Sequence, residues 1–507
     1  MEIYESIKGE ISVPVFRDHA YTGNTVIAFG EDAIIRNSCS IVWKGCEGDS
    51  FEIGTCIPAV LSIKLHLPHE DVNTYSLYGA RIRIWSAYNG TPWAYRGEYW
   101  VTSVKSDVRK KIYTLTASDS LIWLMDNTFS VSGSGKGIPL PDMSYADSMP
   151  GYANALIDKV NRTLTENHIV SDSDIIKTRF RHDVCNSMVY EPGHSVAYTG
   201  WAFLQDENVL RSVSSATVYY MKQFAQLAAG SVQMIPNPET GAAEMMIVPY
   251  GYFPNPEGSE AHKFGDDNLW LMHENASEIW LEMWKPFEIH DSEIEIGTKE
   301  IAEYTMHMNY VQFESYNGDF MALANDFSPY RGNIFIDFTR NYFYDGRVHF
   351  NNFGFDASNL EPQANVYKQL MQQSIRPFSV KFHKAIDKPE HYPKVGQRIT
   401  VDGKSSVITK LSWTFRGGWS ASCAGGENRM LSQSARHSLA ANTRMESAIY
   451  TNLQTAGGIS GLRDEITAAQ DAADDVRVSV QYNNNNWQTI ADAFGQLGVD
   501  VNLSWRG

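Results

Sequence analysis

The sequence predicts an α+β, mostly β, multidomain protein, and three observations predict it. Apolar and polar residues alternate through much of the first 125 residues, the period-two signature of strands with one buried face. Aromatic residues make up 12% of the chain, with 26 Tyr, 23 Phe and 13 Trp, and such side chains favour a pleated, half-buried surface. Helical periodicity is confined to a few segments in the middle and at the end. A chain of 507 residues suits several domains of roughly 100–200 residues each.

Strands come first. Leu61, Ile63, Leu65 and Leu67 alternate with Ser62, Lys64 and His66; Ile82 and Ile84 alternate with Arg81 and Arg83; Tyr113, Leu115 and Ala117 alternate with Thr114 and Thr116. Strands joined by Gly-bearing turns suggest a sandwich or small barrel over residues 1–125. The stretch SVSGSGKGIPLP then breaks the pattern with loop chemistry. Tyr152, Leu156, Val160 and Leu164 recur every fourth residue, which predicts an amphipathic helix over 145–167. A second helix is predicted over 215–229, with Ser214 or Ser215 to cap its start and Gly230 placed to end it. A hairpin follows, SVQMI, the turn PNPETG, then AEMMIVPY, inside an α/β segment over 126–253.

Strand patterns return in SEIWLEMW and YTMHMNYVQF within 254–373, and residues 365–373 offer a short helix at most. KVGQRITVDG, KSSVITKLSWTF, the turn RGG and WSASCAGG read as a compact β unit at the end of 374–425. Beyond Gly426 the composition shifts. Leu462, Ile466, Ala469, Ala473, Val476 and Val480 are spaced 4, 3, 4, 3, 4, the a/d alternation of a heptad seam. It spans under three heptads, short for an isolated coil. A short parallel coil is the expectation for 426–507, with a helix packed on its own domain as the alternative.

Chemistry leaves few traces. In GSGKG, Gly137 follows Lys136 where a phosphate loop needs Ser or Thr, and Ser130 stands where it needs Gly. His66 and His69 in HLPHED fall short of a metal-ligand set. Five cysteines at irregular spacing, with no C-x-x-C, read as buried free thiols rather than a disulfide framework or zinc site. No hydrolase or protease signature appears, so no catalytic residue, metal or cofactor is expected. The net charge of −17 disfavours binding nucleic acid by phosphate neutralisation; solubility and a carboxylate-lined channel are both compatible with it. No apolar run is long enough for a membrane span. The start MEIYESIKGEISVP lacks the order of a secretory signal, so synthesis in a cytoplasm is expected.

Three segments carry a family resemblance. Residues Phe51 to Asp126 run FEIGTCIPAVLSIKLHLPHE, then GARIRIWSAYNGTPWAYRGEYWVTSVKSD, then KKIYTLTASDSLIWLMD. That order resembles the first tube-like domain of hub and tail-tip proteins of long-tailed bacteriophages. The run of helix, Gly230, strand, turn and strand is similar to the domain inserted after that unit, and VGQRITVDG…VITKLSWTFRGGWSAS is similar to the closing β segment of such hubs. The resemblance implies two tube-like β-barrel or sandwich units at 1–125 and 254–373, an inserted α/β domain at 126–253, a closing β domain at 374–425 and a helical tail at 426–507. It implies a homotrimer whose paired tube units adapt a hexameric tail tube to a threefold tip, a non-enzymatic baseplate protein of the virion. Implied partners are the tail tube or distal ring protein and a tip, fibre or tape-measure protein, with DNA passing through the lumen without specific binding. Two rivals stand beside it: a carbohydrate-binding or carbohydrate-cleaving β protein, suggested by the Trp content and acidity, and a distal receptor-binding tail component.

Overall fold

The computed structural model describes residues 4–17, 20–48, 51–68, 72, 77–125, 149–166, 176–178, 217–218, 221–222, 224–226, 228–237, 241–251, 282–303, 310–314, 320–324, 347–351, 370, 373 and 375–424. The chain divides into two compact units, Met1–Thr443 and Arg444–Gly507, and all described residues lie in the first. The fold is mostly β.

The first strands are β1 (Glu5–Arg17), β2 (Ala20–Gly30), β3 (Ser40–Lys44), β4 (Thr55–Cys56), β5 (Val60–His66), β6 (Arg81–Tyr88), β7 (Ala94–Asp107) and β8 (Ile112–Ser118). Two helices follow, α1 (Ile122–Met125) and α2 (Met149–Glu166), then β9 (Lys177–Thr178), β10 (Gly230–Pro236) and β11 (Ala243–Pro249). The remaining strands are β12 (Phe287–Ile289), β13 (Glu300–Ile301), β14 (Tyr310–Glu314), β15 (Phe320–Ala324), β16 (Arg347–Asn351), β17 (Phe378–Phe382), β18 (Arg398–Val401), β19 (Lys404–Val407), β20 (Lys410–Thr414) and β21 (Gly418–Cys423).

One 11-stranded sheet organises the molecule, in the order β13-β17-β21-β20-β3-β5-β8-β7-β6-β1-β2. The expected alternation is present: Leu61, Ile63, Leu65, Ile82, Ile84, Tyr113, Leu115 and Ala117 are all buried. Asn89 and Gly90 both adopt positive φ between β6 and β7, the conformation a tight Asn-Gly hairpin turn requires. Glu5 at the start of β1 accepts a hydrogen bond from Trp413 Nε1 of β20 at 2.8 Å, although β3, β5, β8, β7 and β6 lie between those strands in the sheet. The sheet therefore curls back on itself, with its apolar face inside.

The strands expected as one compact unit over 392–425 are shared between two sheets. β18 and β19 pair with β12, whereas β20 and β21 join the main sheet through β3. Between Lys410–Thr414 and Ser40–Lys44 the pairing is a full antiparallel ladder, with Trp413 opposite Ile41.

A four-stranded sheet, β4-β10-β11-β9, carries the middle segment. The predicted hairpin is β10 and β11, with Gly230 opposite Pro249 and Pro236 opposite Ala243. β10 also runs parallel to β4 of the first segment. The predicted helix over 145–167 is α2, which buries Leu156, Ile157, Val160 and Leu164. Of the helix predicted over 215–229, the described positions 217–218, 221–222 and 224–226 are helical. β15, β14 and β16 form a further small sheet. SEIWLEMW was expected as a strand, but Glu282 and Met283 are helical, and the strand that follows is Phe287–Ile289.

Candidate functional site

Two features stand out, an aromatic cavity where the sheets meet and an open sheet edge. The cavity begins with a defect in β7. Ile84 and Trp85 of β6 pair with Gly97 and Tyr95, so Arg96 is the extra residue of a β-bulge. A bulge re-aims the side chain it carries, and Gly97, at φ +131, supplies a backbone conformation that side chains resist. Arg96 is thereby buried to 3% exposure. Its guanidinium lies 3.6 Å from the Tyr392 ring centroid, 4.8 Å from that of Trp419 and 4.9 Å from that of Trp413. Its Nε donates to Ser86 Oγ at 2.8 Å, and its buried Nη2 has no hydrogen-bond partner.

The rings around it are fixed in turn. Trp419 Nε1 donates to Tyr88 Oη at 3.1 Å, and Trp43 stacks on Trp419 with centroids 6.3 Å apart. Glu5, also buried, spends its second carboxylate oxygen on the Arg416 backbone N–H at 2.8 Å. The carboxylate thus ties the two sides of the curled sheet together. Beside this cluster lies a cavity of about 170 Å³, walled by Trp43, Trp85, Trp93, Tyr95, Tyr392 and Trp419, with Arg96 in its wall and Met234–Pro236 of β10 at another side. Burial pulls Lys394, another wall residue, down to about 7. Its ammonium donates to the carbonyls of Met283, Glu390 and Tyr392 at 3.1, 3.0 and 2.6 Å.

Among the described residues β2 is an edge of the main sheet, pairing with β1 alone. Its 11 residues, AYTGNTVIAFG, contain no charge and no proline, and Val26 is 60% exposed.

No family model matches the chain, and no curated protein matches it. Among solved structures it is similar to the tail protein from Neisseria meningitidis MC58, at 9% identity over 84% of this chain and 97% of that one, with a TM-score of 0.37. It is similar to the 43 kDa tail protein of prophage MuSo2 from Shewanella oneidensis, at 8% identity over 82% of this chain and 97% of that one, with a TM-score of 0.38. A third is prophage tail protein gp18 from Listeria monocytogenes EGD-e, at 10% identity over 85% and 98%, with a TM-score of 0.36. These likenesses are loose.

The residues expected to form the oligomerisation seam, Leu462, Ile466, Ala469, Ala473, Val476 and Val480, lie outside the described residues, as do His69, Cys185 and the GSGKG loop. The four described cysteines, Cys39, Cys46, Cys56 and Cys423, are free and buried; burial pushes the Cys46, Cys56 and Cys423 thiols up to about 12. That leaves them un-ionised and inert near neutral pH. Among the described residues no His, Cys, Asp and Glu group is arranged to hold a metal, and no helix is long and apolar enough to cross a membrane. Sequence reading missed Arg96 and Glu5. The one signal for Arg96 was Gly97 inside the strand-like run AYRGEYW, since an isolated Gly in a strand pattern marks a bulge.

Proposed function

We propose that this chain is a structural, non-enzymatic protein of a long-tailed bacteriophage tail, acting as a homotrimeric hub of the baseplate or tail tip. In this reading it joins a hexameric tail tube to a threefold tip and forms part of the channel through which DNA leaves. It would be made in the host cytoplasm and end in the virion, in contact with a tube or distal ring protein and a tip, fibre or tape-measure protein. DNA would pass without specific binding, consistent with a net charge of −17.

The observation that carries the reading is the edge of β2. Natural edge strands are kept from pairing by shortness, Lys, Pro or inward charge. β2 has 11 residues and no charge or proline, and its only bulge against β1 falls at Thr22, so in this reading the regular stretch Gly23–Gly30 receives another strand. Strand addition from a neighbouring subunit supplies a full row of backbone hydrogen bonds, and repeated heterologous contacts that close make a ring. Three chains that each offer two similar β units match six tube edges, as the sequence resemblance implies. The seam from Leu462 to Val480 would hold the three chains on the axis.

Light scattering tests this on the full chain, a chain ending at Gly425, an Ile466→Asp/Val476→Asp variant and a Val26→Lys/Ala28→Lys variant. A mass of three chains is expected for the first, with loss of trimer in the truncated and seam variants. The edge variant should stay folded, because Val26 and Ala28 are exposed, yet lose ring or tube association. A sixfold mass would move the chain outward to a distal ring. Unchanged association in both sets of variants would overturn the reading.

A further inference from the structure

The cations in the wall of the aromatic cavity are already spent. Arg96 Nε donates to Ser86 Oγ and Nη2 is sealed from solvent. No two adjacent N–H groups therefore remain for the paired grip by which guanidinium takes carboxylate or phosphate. Lys394 gives its three protons to the carbonyls of Met283, Glu390 and Tyr392. Cationic guests fare no better. The Lys8 ammonium stands 4.7 Å from the Trp93 ring centroid and 5.8 Å from that of Trp85, and Arg96 covers Tyr392 and Trp419. These rings, which would attract a cation, already hold one, and a second beside it would be repelled. A neutral guest is what remains, and it must meet polar atoms. Trp85, Tyr95 and Glu390 are half-buried wall residues. Among the described residues, Trp85 Nε1, Tyr95 Oη and the Glu390 carboxylate have no hydrogen-bond partner, and none of them is shut off from solvent.

We propose that the cavity is a binding site for one neutral pyranose ring, either a free sugar or the terminal unit of a glycan. The C–H face of the ring packs on indole, and its hydroxyls accept from Trp85 Nε1 and donate to the Glu390 carboxylate, with the Tyr95 hydroxyl able to do either. A hydroxyl donated to a carboxylate is a charge-assisted bond, one of the stronger kinds. A wholly apolar guest would displace water from the same groups and leave them unmet. Aromatic walls with a few convergent polar atoms fix a small ligand's orientation, and donors and acceptors together suit a polyhydroxylated one. Size agrees. An apolar cavity of about 150 Å³ takes benzene, so one of about 170 Å³ takes a single six-membered ring. Trp93, 42% exposed on the turn between β6 and β7, leaves room for the next unit of a chain outside. The proposal is independent of the hub reading.

Calorimetry and tryptophan fluorescence on the full chain test this. The ligands are the methyl glycosides of glucose, galactose and N-acetylglucosamine, with cellotriose and chitotriose; the controls are cyclohexanol, phenylacetate and benzyltrimethylammonium. Saturable binding of a sugar is expected, tighter than that of any control. A trisaccharide bound about tenfold or more tighter than its methyl glycoside marks a glycan end as the source, and equal affinity marks the free sugar. Trp93→Ala, at an exposed position, should keep the fold and weaken the sugar several-fold. Glu390→Ala should weaken it about tenfold, and Glu390→Gln, which keeps an acceptor, should restore part of that loss. No sugar bound at tens of millimolar overturns the proposal, as does a control bound more tightly than every sugar, or a Glu390→Ala chain that binds sugar as the wild type does.

Discussion

Asp119 closes β8 with both carboxylate oxygens turned inward: Oδ2 accepts the Ala59 N–H at 3.0 Å and Oδ1 the Leu121 N–H at 3.1 Å. These bonds start α1 and hold the strand ends together, but burial outweighs them and pushes the carboxyl up to about 7. The sign follows from linkage. A group whose folded value is raised binds protons more tightly in the folded state, so its contribution is complete below about 4 and fades as pH rises to about 7. Lys394 works in the opposite sense, because burial pulls it down to about 7; its contribution grows as pH rises from about 7 towards 10.5. Denaturant midpoints of the wild type should therefore fall between pH 4 and 7, and Asp119→Asn should flatten that limb by an amount on the order of 4 kcal/mol. An unchanged slope in the variant would assign the titration elsewhere. Little of this was visible beforehand. The Ala-Ser-Asp step at the end of β8 was legible as a motif, yet its titration depends on burial, which arises only from strands brought in across the fold.

Among the elements, legibility tracks locality. β5, β6 and β8 were readable because their alternation is set by one buried face, and α2 because its apolar residues recur each turn. The end of SEIWLEMW was not, since a short apolar run reads alike as a helix turn or a strand. How α2 is held was equally hidden. Asn161, buried inside the helix, donates from Nδ2 to Ile176 O at 2.9 Å and accepts the Ile176 N–H on Oδ1 at 3.0 Å, while Thr178 Oγ1 bonds Asn154 Oδ1. The helix thus supplies the pairing that the backbone before β9 would otherwise lack. Asn161→Leu keeps the volume and leaves a buried donor and acceptor unmet, at about 1–3 kcal/mol each. Its chemical-denaturation midpoint should drop accordingly, and amide exchange at Ile176 and Lys177 should accelerate first. A Leu variant as stable as the wild type would mean that water satisfies Ile176 equally well.

At the scale of the whole molecule, the main sheet is completed by strands some 370 residues downstream of those they meet: Ser40–Lys44 with Lys410–Thr414, and Glu5 with Trp413 at a separation of 408 residues. No local pattern announces such a pairing, which is why residues 392–425 read as a unit of their own. The closure of so long a loop is entropically costly and comes late, so the first unit must either tolerate an unpaired β3 or wait. Without β20, the backbone groups of β3 lose the whole ladder to Leu411 and Trp413, the Cys39 carbonyl loses the Phe415 N–H, and the Glu5 carboxylate loses the Trp413 Nε1 and Arg416 N–H donors. Each backbone group of β3 left buried and unmet costs about 1–3 kcal/mol, and a few of them together reach the entire margin of a small domain. A chain of residues 1–125 is therefore expected to lack a cooperative thermal transition and to bind a hydrophobic dye, whereas residues 1–424 melt as a cooperative body. Calorimetry on the two chains decides it. If 1–125 melts sharply with its own transition, that segment is autonomous and the downstream strands dock on a finished sheet; if it does not, those strands are part of its fold, and folding waits on synthesis through Cys423.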